Sequence, residues 1–169
     1  RLRQHLENYD AIGVAGTTRL IGERWYLAGP PHVHGQVAHN DPGGGYAINI
    51  YGASTSPIGG IQALDGVFIA ARRSVAEAIP FDGLTFDGFH LYDLDWTYAA
   101  YRAGFELAVC CDLAIVHAST GSYNERWKTY ARRFVDKHAG KLAGGGEREF
   151  RPMLAFAATR GDALVVMQE

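Results

Sequence analysis

Two carboxylates in HLYDLDWTYAAYRAG, Asp93 and Asp95, are of a residue type suited to acid–base work. If a helix begins near Asp93, the two cannot face one cleft, because positions i and i+2 diverge by roughly 200° around a helix. One then serves at the helix start while the other points elsewhere. Two roles stand open for Asp93. It caps the helix by accepting backbone N–H bonds at its first turn, or it is a general base whose carboxylate takes the proton of an attacking hydroxyl. A helix N-terminus keeps such a base ionised, and the same field weakens it.

His117 stands near the end of an apolar run, in IVHAS. It is either a packed core or edge histidine, or a ligand if the carboxyl edge of the sheet is the active edge. His32 and His34 alternate along one strand face, where they either decorate a hairpin or bind a metal together. A metal hydrolase using His32, His34 and a carboxylate is a third reading, although no third ligand is obvious nearby. Trp25, Tyr26, Phe89 and Trp96 either pack the interior or stack on a sugar or base. Arg72 and Arg73 are neighbours in an extended segment, so at most one serves a phosphate site. The chain has no G-x-G-x-x-G after a strand, no phosphate loop ending in Gly-Lys-Ser/Thr and no G-x-S-x-G elbow.

The elements that must position these residues read as follows. Leu2 and Leu6 give residues 1–9 a short apolar helical stripe, and AIGVAG (11–16) is a buried strand. Periodicity then fails from Thr17 to Gly45, a stretch holding Trp25, Tyr26 and three of the seven histidines. Such a loop is usually functional, with a hairpin predicted through HVHGQVAH. YAINIYG (46–52) is an edge strand and LDGVFIAARR (64–73) the clearest strand. SVAEAI is a helix that Pro80 stops. A helix starts near Asp93 and closes at Gly104. Residues 107–112 and 114–119 are strand-like, and a helix spans about 124 to 138 with Trp127, Tyr130, Ala131 and Phe134 on one stripe. Gly144 to Gly146 separate a tail whose ALVVM reads as a last strand. This order predicts α/β or α+β layering around a mixed sheet.

Composition bounds the rest. A chain of 169 residues is one domain by length, and 47% hydrophobic with 12% aromatic residues is enough for a proper core. A net charge of −2 excludes strong global attraction to nucleic acid or anionic membrane. No apolar run approaches the ~20 residues that span a bilayer, and no secretory signal is visible. Cys110 and Cys111 are adjacent, which excludes a disulfide framework and a Cys-based zinc spacing, so a reducing, cytoplasmic setting is expected.

LDGVFIAARRSV, FDGLTFDGFHLYDLDWTYAAYRAGFELAV and LAIVHASTGSYNERW, in that order, resemble the second half of a family 2-like, inverting GT-A glycosyltransferase. The resemblance runs over roughly residues 10–140. It implies an α/β, GT-A-like mixed sheet flanked by helices and incomplete at its N-terminus. The family's nucleotide-binding strands and Asp-x-Asp motif would precede residue 1, and Asp93-Leu94-Asp95 has those letters in another place. The implied division is a partial GT-A domain over 1–142 and a C-terminal tail over 143–169. The D-G-x-F-x-x-x-R-R segment would lie beneath the sugars, which implicates Asp65 and Gly66 in substrate binding. Asp93 matches the catalytic base and His117 the histidine that joins a divalent metal, Mn²⁺ or Mg²⁺. The loop carrying Trp25 and His34 to His39 would border the acceptor, with Trp96 a further substrate-stacking group. The implied reaction is a single displacement from a nucleotide-sugar donor to a hydroxyl acceptor such as a glycan, with the first half needed for activity. A non-catalytic carbohydrate-binding or interaction module on the same fold is the alternative. Strand edges left open by the first half would favour a homo-oligomer.

Overall fold

The computed structural model describes residues 1–119, 121–146 and 149–168. Two short sheets share the apolar segment AIGVAGT. Its first half, β1 (Ala11–Gly13), lies between β6 (Ile69–Ala71), antiparallel to it, and β7 (Leu107–Val109), parallel to it. Its second half, β2 (Ala15–Thr17), belongs to another sheet, in the order β5 (Ala63–Leu64), β2, β3 (Val33–Asn40), β4 (Tyr46–Gly52) and β9 (Met153–Ala157). β8 (Val116–His117) runs parallel to β3 beyond the end of β2, pairing Val116 with Ala38 and His117 with His39.

The switch between sheets at Val14 demands small residues. A Cβ on Gly35, whose φ is 111°, would sit 2.1 Å from the Val14 carbonyl oxygen, and one on Gly16 would sit 2.5 Å from that of Ala63. Side chains there would force the strands apart.

Several expectations change. The segment 64–73 is not one strand: Asp65 and Gly66 turn the chain from β5 in one sheet to β6 in the other. HVHGQVAH forms no hairpin, because β3 runs through it and reverses only at residues 41–45. ALVVM lies in helix α5 (Arg160–Val166) and the following turn, and the helix starts at a reciprocal Thr159–Asp162 capping box. The last strand is instead the preceding β9, paired along β4. β9 and α5 thus pack on the sheet, with Ala163 and Met167 buried against Ala38 and Ile48. Buried Gln36 donates to the carbonyls of Cys111 and Met167, tying the end of the chain to the sheet.

The remaining helices follow their sequence signals closely. They are α1 (Leu2–Asn8), α2 (Arg73–Ala78), α3 (Tyr92–Arg102) and α4 (Glu125–Lys137), the last capped by the Asn124 side chain on the Trp127 amide. Among the described residues no helix is long and apolar enough to cross a membrane. α3 and α4 pack together through Leu94, Tyr98, Tyr130 and Phe134, joined by Val14 and Leu20 from below. An ionic knot closes this contact. Asp95, 2% exposed, accepts from Lys137 Nζ at 2.8 Å and from His138 Nε2 at 2.7 Å, and Lys137 also reaches Asp82 at 2.8 Å. Asp95→Ala strips Lys137 and His138 of a shared acceptor and is expected to lower stability by about 3 kcal/mol, read from denaturant midpoints.

Candidate active site

A cavity of about 370 Å³ opens where the β5–β6 turn, the first turn of α3, the end of β8 and the 3₁₀ helix Trp25–Ala28 meet. Asp65 forms one wall. Its amide donates to Ala15, which fixes its backbone to β2. Its carboxylate accepts from the indole N–H of Trp25 at 2.8 Å and from the amide of Val67 at 2.9 Å, so both oxygens are held. Trp25 is in turn wedged against Tyr51, with ring centroids 4.7 Å apart. Trp25→Phe keeps the ring and removes the donor. Losing one hydrogen bond to a charged group is expected to lower stability by about 2 kcal/mol, read from denaturant midpoints.

Asp93 sits in the first turn of α3, at the floor of this cavity. The N-cap position is Leu91, whose φ of 63° swings the chain into the helix, and it makes no side-chain cap. Asp93 is therefore not the capping residue. Thr97 fastens this turn to the sheet, donating to the Asp93 carbonyl at 2.9 Å and accepting from the Leu64 amide at 3.1 Å. Burial, and next the negative charge of Asp65, push the Asp93 carboxyl up to about 6, against the pull of the Leu94, Asp93 and Gly66 amides. Gly66 allows this approach: a Cβ there would lie 2.1 Å from Asp93 Oδ2. Asp95, two positions on, points into the ionic knot.

His117 enters from β8 and lines the same cavity. Its ring centroid is 5.4 Å from that of His39, whose Nδ1 donates to the Ser119 carbonyl at 2.9 Å. Burial first, and His39 second, lower the His117 pKa, while Asp65 opposes them. The imidazole is thus neutral near pH 7, with a lone pair free to ligate. Among the described residues no three histidine, cysteine or carboxylate groups converge at the cavity. His117 offers a cation a neutral imidazole at the cavity. Such a donor suits a divalent ion whose other ligands are diphosphate oxygens and water.

Asp65, Gly66, Trp25, Asp93 and His117 therefore line one cavity. Trp96 does not. It is 4% exposed, donates its indole N–H to the Ile79 carbonyl at 2.6 Å, stacks on Phe81 and packs in the core with Ile61, Leu64 and Val75. Its face of α3 also carries Ala100, the i+4 apolar partner that marks a core stripe. His34 lies opposite Gly16 in the β2–β3 pair and outside the cavity lining. The neighbouring arginines are engaged elsewhere, Arg72 with the Leu6 carbonyl and Asp10, and Arg73 with Glu77.

Sequence reasoning missed the opposite wall. Arg24 lines the cavity with its guanidinium carbon 5.7 Å from the Tyr123 ring centre and 5.4 Å from that of Trp127. Its Nε is buried without a hydrogen-bond partner. No other arginine or lysine lines the cavity among the described residues. The only signal was composition: Arg24 falls in the aperiodic, aromatic stretch, and Trp127 was legible only as part of a core stripe.

The mixed α/β architecture, with sheets flanked by helices, is consistent with a GT-A-like glycosyltransferase domain. The chain belongs to a glycosyltransferase-like family, whose sequence model matches residues 4–138. That span holds every cavity residue named above. No curated protein and no solved structure matches the chain.

Proposed function

We propose that the cavity carries out the acceptor-side chemistry of an inverting sugar transfer. The observation that carries this reading is Asp93: a carboxyl with a pKa near 6, at the floor of a sugar-sized cavity, with bare Gly66 beside it. Ionised at neutral pH yet more basic than an ordinary carboxylate, it takes the proton of an acceptor hydroxyl. The hydroxyl oxygen bonds to the anomeric carbon as the bond from that carbon to the nucleoside diphosphate breaks, and configuration inverts. Asp65 raises the basicity of Asp93 by its charge and is held in place by Trp25. Tyr123 and Trp127 present ring faces and edges of the kind that hold a pyranose. His117 would hold a divalent cation, Mn²⁺ or Mg²⁺. When bound, such an ion neutralises charge on the departing diphosphate.

The partners on this reading are a nucleotide-sugar and a glycan or similar hydroxyl acceptor. A reducing, cytoplasmic setting is supported by Cys110 and Cys111, both free and buried. The aromatic wall also suits the second reading, a carbohydrate-binding module without turnover. Calorimetric titration with uridine diphosphate, with and without Mn²⁺, separates the two. The transferase reading expects metal-dependent nucleotide binding that weakens roughly tenfold in His117→Ala. Binding of free oligosaccharide alone, indifferent to nucleotide and metal, would favour the module.

A further inference from the structure

Away from this cavity, three chemically different donors meet between α1 and the turn after β7. His5 Nε2 lies 2.9 Å from both carboxylate oxygens of Asp112. Cys110, fully buried, brings its Sγ to the same point, and the three donor atoms lie within 4.8 Å of one another. None of the three residues lines the cavity. We propose that His5, Cys110 and Asp112 form a second metal site, for a borderline-soft divalent ion of the zinc type, that pins α1 to the sheet.

A plain His–Asp pair accounts for two of these residues and leaves the thiol unexplained. The direction of Cys110 is particular to it. Its neighbour Cys111 turns to a different partner and donates to the Gly52 carbonyl at 3.7 Å. Imidazole, thiolate and carboxylate together suit Zn²⁺ rather than the oxygen-loving Mg²⁺ or Mn²⁺. Three protein ligands and one water complete a tetrahedron, with donor atoms roughly 3.5 Å apart. Binding draws the donors together from the present spacing, and Asp112, 29% exposed, opens the site to solvent. α1 also gains from an anchor, because none of its residues is buried. Its ties include the His5–Asp112 pair, a bond from Arg1 to the Asp112 carbonyl and one from Arg72 to the Leu6 carbonyl.

The test is titration of the chain with Co²⁺, a spectroscopic stand-in for zinc, followed by Zn²⁺ competition. The expected result is one thiolate-bound equivalent, with thiolate-to-cobalt absorption in the near ultraviolet and the visible bands of a tetrahedral ion. Cys110→Ser abolishes the thiolate band, and His5→Ala weakens the ion's affinity tenfold or more. Because His5 lies on α1, which buries no residue, its variant keeps the fold and carries the test even where Cys110→Ser does not fold. His117→Ala leaves the spectrum unchanged, so the outcome is independent of the proposed transfer chemistry. Absence of a thiolate band in the unaltered chain, or unchanged affinity in His5→Ala, overturns the proposal.

Discussion

On the proposed transfer chemistry, Asp93→Asn in a protein that carries the first half is expected to lower sugar transfer roughly a hundredfold or more at pH 7.5, because an amide of the same shape cannot accept the acceptor's proton. Nucleotide binding stays within a factor of two or so, since the change removes a base and not a contact made equally in ground and transition states. The same substitution reports on stability with the opposite sign. The folded Asp93 carboxyl titrates near 6, above its ordinary value of 3.8. The native state therefore binds more protons than the unfolded chain between these values, and stability falls as pH rises through that window. Above pH 6 the native state bears a buried charge that Asn does not. Asp93→Asn is accordingly expected to raise the melting temperature at pH 7.5, with the difference gone below pH 4. A base held at the expense of stability behaves in this way, whereas a helix-capping aspartate would lose stability on substitution.

Gly66→Ala has the second largest expected effect. Its new Cβ would stand 2.1 Å from Asp93 Oδ2 and 2.7 Å from Cγ, so the carboxylate must move by more than an ångström. Displacement of a reacting group by that distance costs about a hundredfold in rate. Relief of the clash costs about 1–3 kcal/mol of stability. The control is Gly22→Ala, where a Cβ meets nothing within 4 Å and neither rate nor melting temperature should change. Equal, small effects in both variants would mean that Asp93 need not sit where it does.

The helices were legible because their signals are local. The stripe Trp127, Tyr130, Ala131 and Phe134 and the Asn124 cap define α4, and the divergence of Asp93 from Asp95 follows from helix geometry alone. The strands were less legible for a physical reason. A run such as LDGVFIAARR is apolar on both sides of a turn because it feeds two sheets, and periodicity does not distinguish that from one long strand. ALVVM shows the same ambiguity, since a short apolar run suits a helix as well as a strand. Within the cavity, the floor was readable from motif order, and the wall was not. Arg24, Tyr123 and Trp127 come together from segments about a hundred positions apart. Trp96 shows the converse: an aromatic beside a candidate base belongs to the core when its helical face is apolar. The adjacent cysteines argued against a cysteine pair on one metal. A site using one of them with residues 5 and 112 needs the fold to be seen.

The central claim is that the cleft holds Asp93 as an unusually basic carboxylate. The most direct measurement is the titration of its ¹³C-labelled carboxyl by nuclear magnetic resonance, assigned through Asp93→Asn. A midpoint near 6, moving down in Asp65→Asn as the neighbouring charge is removed, is the expected result. A midpoint in the ordinary aspartate range, unmoved by Asp65→Asn, would contradict it.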